Sequence, residues 1–564
     1  MTRDTNRVPP GKPPLRPLHA LAAAGLAVGL VASLIGGVGP GVVGLWSFTV
    51  AAVALAFALP LPWALVSPLY MGIAGWLVDM LPFVILAGWT AVTIRWAVTL
   101  VRERRLPRGG RWIWLPVFLV VWTGLGVVVI TSLDFKHFLL LLGIQVVASA
   151  AVLTVVDAVS SHGGRVQLAS GLVGFVVVLS AAVFLQWIGV PIESLQDSSA
   201  RRRVESAYGV DAFPNNIGMI KYARSVNAGS LELRRAVTEV ADGDPDLPPF
   251  EVFRPKFQAY ENSLVVRFAG SARASADELE EAGVTLLYDN VGLAPAQTVP
   301  RMRSFPRNAL TYAGASAALL PFAFFLAWRE DPRRRLLGRA GIVACLFGAG
   351  FSLARGSWGA IVIGALYLVV DGVVGKRRKL QVVAGVVAAA LVLTGVFLVK
   401  YKVDPLTGRA GGGASVNTRD DLYRETLGSL NGIYAILGYG TEKPRTESGT
   451  VKEGTRYVPR AGTHSTYLNY LFRTGIPGAL AILALYGAAG LHARAAARAK
   501  EGEEAELSTA AAWAVVIAGA HAVILSLYVE PVYTLIVSLL LGIAMAAGLR
   551  LPVGVLPFRR RRPA

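Results

Sequence analysis

Apolar runs of about 20 residues recur along the chain, separated by short polar or basic turns. They fall near residues 19–37, 43–60, 63–79, 82–101, 112–132, 137–157 and 168–190, and again near 308–328, 337–353, 357–374, 380–399, 466–493, 509–528 and 532–549. Wound as helices, such runs match a hydrocarbon core of about 30 Å. The pattern predicts an all-α polytopic membrane protein with about 12–14 transmembrane helices. Pro60 and Pro62 allow 43–79 to be a re-entrant hairpin, a change that preserves parity. The first run exceeds the roughly 7–15 residues of a signal-peptide core and reads as a retained anchor.

Two long polar stretches interrupt the series and set the expected organisation. Residues 1–190 carry the N-terminal transmembrane helices and 191–307 a large extracytoplasmic loop domain. Residues 308–399 are the central helices, and 400–465 a second extracytoplasmic loop. Residues 466–564 hold the C-terminal helices and a basic cytoplasmic tail. In the first loop Ser230–Val240 and Ala274–Ala282 read as helices and Asn262–Phe268 alternates like a strand, which predicts a small α+β insertion. In the second, Asn417 or Thr418 can cap a helix over Arg419–Leu430. Loops this long on a compact scaffold usually carry function or are disordered.

Composition sharpens this picture. Of 564 residues 54% are hydrophobic and only 16% charged, which excludes a soluble enzyme and a disordered chain. The net charge of +19 looks like a nucleic-acid signal until it is located. Residues 193–306 hold 13 Lys/Arg against 16 Asp/Glu, so the largest loop is slightly acidic. The positive charge sits in short clusters between apolar runs, at Arg102–Arg111, Arg333–Arg339, Lys376–Lys379 and Arg559–Arg562. With the basic N-terminus inside, every cluster falls in the cytoplasm, the positive-inside pattern. No nucleic-acid partner is expected. The single cysteine, Cys345, excludes an intrachain disulfide and a cysteine-based zinc site.

Ion-coupled transport normally needs ionisable groups near the membrane midplane. Asp79, Asp157 and Asp371 lie at segment ends, and only His521 sits deep in a segment, as a packing histidine or a relay. The outer face is richer. Arg355, in Phe351-Ser-Leu-Ala-Arg-Gly-Ser-Trp358, stands at an outer turn against the charge bias; it snorkels to lipid phosphate or binds a ligand. Arg301 and Arg303 precede Phe305-Pro-Arg-Asn308 at the next span. These guanidinium groups suit a diphosphate, whose oxygens they grip bidentately. His464 lies where the second loop re-enters the membrane, either a loop histidine or a general base. Thr463 or Ser465 can cap the helix that follows, and Gly475-Ile-Pro-Gly478 is expected to kink it, leaving Ser465–Thr474 as a half-helix. Asp242-Gly-Asp-Pro-Asp246 reads as a tight turn rather than a metal site, and Glu501–Glu506 as a solvated charge run. No metal and no cofactor is expected.

Taken in order, these elements resemble the O-antigen ligase and O-antigen polymerase superfamily. Ser352-Leu-Ala-Arg-Gly-Ser-Trp358 is similar to its S-R-G-x-W element, and Thr463-His-Ser-Thr-Tyr-Leu468 with Thr474-Gly-Ile-Pro-Gly478 to its H-N-x-x-L and G-x-x-G elements. Arg419-Asp-Asp-Leu-Tyr-Arg-Glu-Thr-Leu427 and Leu437-Gly-Tyr-Gly440 resemble the pieces between, and Arg303 through Asn308 a degraded arginine–asparagine element. Ser465 stands where many members have asparagine, and Tyr423 where many have tryptophan.

The resemblance implies an integral membrane glycosyltransferase of polysaccharide biosynthesis in the cell envelope. It would move a glycan from undecaprenyl diphosphate to an acceptor hydroxyl on a glycan or glycolipid, in the bacterial cytoplasmic (inner) membrane with the site facing outward. His464 would be the catalytic base; Arg355 with Arg303 or Arg301 would hold the diphosphate, and Arg419 would order the donor or the loop. The chemistry would be metal-independent and inverting. Ligase is the first reading and polymerase of lipid-linked repeat units the alternative. An exporter or flippase, or a non-catalytic glycan-binding membrane protein, are further alternatives.

Overall fold

The computed structural model describes residues 16–35, 38–78, 81–129, 135–159, 161–187, 222–224, 250–253, 265–268, 285–288, 309–352, 354–370, 375–401, 427–428, 430–439, 450–453, 456–459, 465–524 and 530–548. Every apolar run named above carries a helix, and the chain divides into two compact units.

The first unit contains α1 (Arg16–Ile35), α2 (Val38–Ala58), α3 (Leu61–Leu77) and α4 (Leu81–Arg102). Its core gathers Phe48, Ala51, Ala52, Met71, Val78 and Val84. The break at Pro60 starts α3 with a proline-bearing first turn, where a missing N–H costs nothing. Arg95 of α4 donates to Ala56 O and Leu59 O, both at 2.7 Å. A cation on the last carbonyls of α2 answers both the unpaired acceptors and the negative helix end.

The second unit begins with a 3₁₀ turn (Gly110–Ile113), α5 (Trp114–Val129), α6 (Phe135–Ala158) and α7 (His162–Trp187). It continues with α8 (Ala309–Ala327), α9 (Pro332–Phe351), α10 (Arg355–Val370), α11 (Lys376–Tyr401) and the short α12 (Gly432–Leu437). It ends with α13 (Thr466–Ala499), α14 (Gly502–Ile524) and α15 (Pro531–Gly548). Helices α8 and α15 are buried along nearly their whole length. Helices α7, α9, α14 and α15 pack on α8; α6, α13 and α14 pack on α15. Outer helices expose large apolar side chains, such as Leu336 and Val343 of α9 and Leu366 and Val370 of α10. Such surfaces fit a lipid environment, where helices satisfy their own backbone groups.

Among the described residues seven helices, α1, α4, α7, α8, α13, α14 and α15, are long and apolar enough to cross a membrane. The protein is therefore a multi-pass membrane protein whose described core is helical, with fewer such helices among the described residues than the 12–14 expected. Part of the difference is local. Pro60 limits α3 to 17 residues, Arg333, Arg334, Arg335 and Arg339 occupy the first turns of α9, and Lys376–Lys379 open α11. Shorter apolar stretches remain in α2, α3, α5, α6 and α10.

The expected α+β insertion is not supported as a domain by the described residues, which hold only short strands there. Within 191–307 four short strands pair as antiparallel ribbons, β1 (Tyr222–Arg224) with β4 (Thr285–Tyr288) and β2 (Phe250–Phe253) with β3 (Val265–Phe268). The expected helices Ser230–Val240 and Ala274–Ala282 lie outside the described residues. A third ribbon, β5 (Thr450–Glu453) with β6 (Arg456–Pro459), belongs to the second long segment.

The acidic run at the start of α14 is not simply solvated. Glu504 pairs with Arg165 at 2.6 Å and with Lys500 at 2.5 Å. Glu503 pairs with Arg329 at 3.3 Å, and Glu506 with both Arg329 and Arg378. Arg165 is only 1% exposed, so this carboxylate answers a charge withdrawn from water. Burial pushes the Arg329 guanidinium below its usual range and Glu503 draws it back up. Residues from α7, the α8–α9 turn and α11 are thereby tied to one end of α14.

Candidate functional site

The turn between α9 and α10 is held from both sides. Ser352 caps α9: its N–H bonds to Gly348 O, and its buried hydroxyl donates to Ala349 O at 3.0 Å. Trp358 Nε1 donates to the same Ala349 carbonyl at 2.6 Å. The backbone N–H groups of Ser357 and Trp358 bond to Ala354 O, closing the first turn of α10. Around this fixed backbone Arg355 is exposed, with no partner among the described residues. It stands at the N-terminus of α10, where the dipole disfavours a cation unless an anion shares the site. A guanidinium at a helix N-terminus suits phosphate oxygens.

The second element enters at Ser465, the N-cap of α13, whose hydroxyl accepts from Leu468 N at 3.5 Å. Of the two expected caps, Ser465 takes the role. The expected kink is present at Gly475, with φ 66° and ψ −173°, so Thr466–Thr474 forms a separate half-helix. Only glycine fits there, because a Cβ would collide with Ile436 O.

A broken helix leaves carbonyls unpaired, and those of this half-helix find named partners. Tyr439 N donates to Phe472 O at 2.7 Å, and Trp122 Nε1 of α5 donates to Thr474 O at 2.9 Å. The Tyr439 ring is stacked between Tyr434 and Phe472, with centroids 4.3 and 4.7 Å away. Gly438, at φ 71°, lets this turn approach the Arg473 backbone. The Leu437-Gly-Tyr segment is thus a clamp on the kink.

Both elements converge on one turn of α14. Ser357 Oγ lies 3.0 Å from His521 Nε2, and His521 Nδ1 lies 2.9 Å from Tyr533 OH of α15. On the same turn Ala522 O accepts from Ser465 Oγ at 3.5 Å, and Gly519 O from Tyr467 OH at 3.3 Å. The histidine read as packing or relay is fully buried and hydrogen-bonded at both nitrogens.

Beside the half-helix lies a small cavity of about 50 Å³, lined by Gln145, Ser149, Thr466, Tyr470, Tyr486 and Tyr533 among others. Tyr470 OH donates to Gln145 Oε1 at 2.6 Å, so polar contacts in the core join α6 to α13. Sequence reasoning missed this contact because no local pattern marks a lone Gln in an apolar run.

Of the predicted site residues, Arg355 is placed as above. His464, Arg301, Arg303 and Arg419 lie outside the described residues, as do the Asp242–Asp246 turn and the expected Arg419–Leu430 helix apart from its last residues. Their neighbours are nevertheless fixed: Ser465 follows His464 directly, and α8 begins at Ala309, just after the Arg301–Asn308 element.

Residues 340–483 match the family described as O-antigen ligase. The match runs from α9 through the kink in α13 and includes both Arg355 and Ser465. No curated protein matches the chain.

Proposed function

We propose, from its membership of the O-antigen ligase and polymerase superfamily, that this chain transfers a glycan from undecaprenyl diphosphate to an acceptor hydroxyl at the outer face of the bacterial cytoplasmic membrane. The observation that carries the reading is the convergence just described. The Arg355 turn and the start of α13, one residue after His464, are anchored to the same turn of α14.

In this reading Arg355, with Arg303 or Arg301, holds the diphosphate, and Arg419 orders the donor or the loop. His464 takes the proton from the acceptor hydroxyl. The acceptor oxygen then forms a bond to the anomeric carbon as the bond from that carbon to the phosphate oxygen breaks. The electron pair leaves with undecaprenyl diphosphate, whose growing charge the guanidinium groups stabilise. In-line attack inverts the anomeric centre. Fixed cations can meet the charge requirement without a metal.

The test is transfer by the purified protein in lipid, supplied with an undecaprenyl-diphosphate glycan and candidate acceptors. Release of undecaprenyl diphosphate matched by an inverted linkage in the product supports the reading. A single added glycan indicates ligation and a ladder of repeat units indicates polymerisation. No release with authentic donors would overturn it.

A further inference from the structure

We propose that His521 is a positioning residue for Arg355, acting through Ser357. The inference rests on the diphosphate-binding reading of Arg355 and extends it into the core.

Ser357 is two residues beyond Arg355, on the first turn of α10, and is fully buried. Its hydroxyl meets His521 Nε2 at 3.0 Å, and Tyr533 OH meets His521 Nδ1 at 2.9 Å. A neutral imidazole donates at one nitrogen and accepts at the other, and each hydroxyl can play either part, so the chain is satisfied in both tautomers. Serine, histidine and an orienting group in series have the layout of an activated nucleophile. Here that layout cannot meet substrate, because Ser357 and His521 are 0% exposed and Tyr533 only 3%. What the chain does is fix the first turn of α10 against α14 and α15.

The surroundings are cut to hold the ring in one place. At Gly314 of α8 a Cβ would stand 2.6 Å from His521 Cε1 and 2.7 Å from a Tyr533 ring carbon. A buried polar chain between apolar helices gains nothing in packing over leucine, and imposes a single geometry in return. That geometry lies two residues from the only predicted diphosphate ligand among the described residues. A binding group misplaced by about 1 Å forfeits on the order of a hundredfold in rate.

Transfer and binding of undecaprenyl diphosphate are measured in nanodiscs for wild type, His521→Leu and His521→Gln, each also combined with Arg355→Ala. His521→Leu keeps the volume without hydrogen bonds, and lowers kcat and diphosphate affinity on the order of tenfold to a hundredfold. Its unfolding midpoint falls modestly, because the buried Ser357 and Tyr533 hydroxyls lose the ring that joins them, so transfer is read per folded molecule. His521→Gln, which presents an amide near the Nε2 position, recovers most of the loss. In the Arg355→Ala background His521→Leu costs nothing further. Wild-type kinetics for His521→Leu, or an equal additional loss without Arg355, would overturn the proposal while leaving the Arg355 reading intact. Wild-type transfer by Arg355→Ala would instead overturn the diphosphate reading, and the positioning role with it. If His521→Leu fails to fold, Ser357→Ala, which removes one oxygen, takes its place with the same expected outcomes.

Discussion

Ser357 and His521 are 164 residues apart in sequence, yet their side chains meet at 3.0 Å in the core. That contact joins the arginine-bearing turn of α10 to the helix turn that also receives the start of α13. It gives the candidate site a rigid floor, and it makes several parts of the account separately testable.

The kink in α13 is the most exacting backbone feature. Gly475→Ala places a side chain at φ 66° and drives its Cβ into Ile436 O. We expect a loss of about 1–3 kcal/mol in stability, from backbone strain alone, and a greater loss of transfer because the half-helix moves. Thermal unfolding in detergent checks the first and the transfer assay the second. An unchanged midpoint would show that the Leu437-Gly-Tyr clamp is not tight.

Removing one partner of a freed carbonyl is milder. Trp122→Phe deletes the indole N–H that meets Thr474 O at 2.9 Å and keeps most of the ring. The expected cost is about 1 kcal/mol, read as a modest fall in midpoint.

Ser465 separates capping from chemistry. Ser465→Ala removes the N-cap acceptor of α13 and is expected to cost about 1 kcal/mol. Ser465→Asn restores an equally good cap and matches the residue common in the resembling family. Transfer by the Asn variant at close to the wild-type rate is the expected result. A loss as large as that of the Ala variant would mean that the serine hydroxyl does more than cap.

At the other end of α14 the acidic cluster predicts stability without catalysis. Glu504→Gln removes the negative charge that Arg165, 1% exposed, meets at 2.6 Å. The expected destabilisation is about 1–3 kcal/mol, below that of a fully buried pair because Glu504 itself is partly exposed. Transfer per folded molecule is expected to stay unchanged. A selective loss of transfer would connect this cluster to the site.

The fold was legible where local physics decides it. Apolar run length located the helices, Gly475-Ile-Pro-Gly478 located the kink, and Ser465 was one of two readable caps. Seven described helices are long and apolar enough to cross a membrane, and run length alone does not show how Pro60 and the arginines of α9 shorten or interrupt apolar surface. Long-range pairing was not legible at all. Nothing near Glu501–Glu506 announces Arg165, Arg329 or Arg378, and nothing near Ser357 announces His521. For the candidate site, motif order brought Arg355 and His464 into one hypothesis, and the structure supplied the shared α14 turn beneath Arg355 and Ser465.

The most direct test of the central claim is glycan transfer from undecaprenyl diphosphate with EDTA present, comparing wild type with His464→Ala and Arg355→Ala. The account predicts that wild type releases undecaprenyl diphosphate and forms product. His464→Ala binds donor and turns over at least about a hundredfold more slowly, as expected for loss of a general base, and Arg355→Ala loses donor affinity as well as rate. Full transfer by both variants, both folded, would contradict the account and remove these residues from the chemistry.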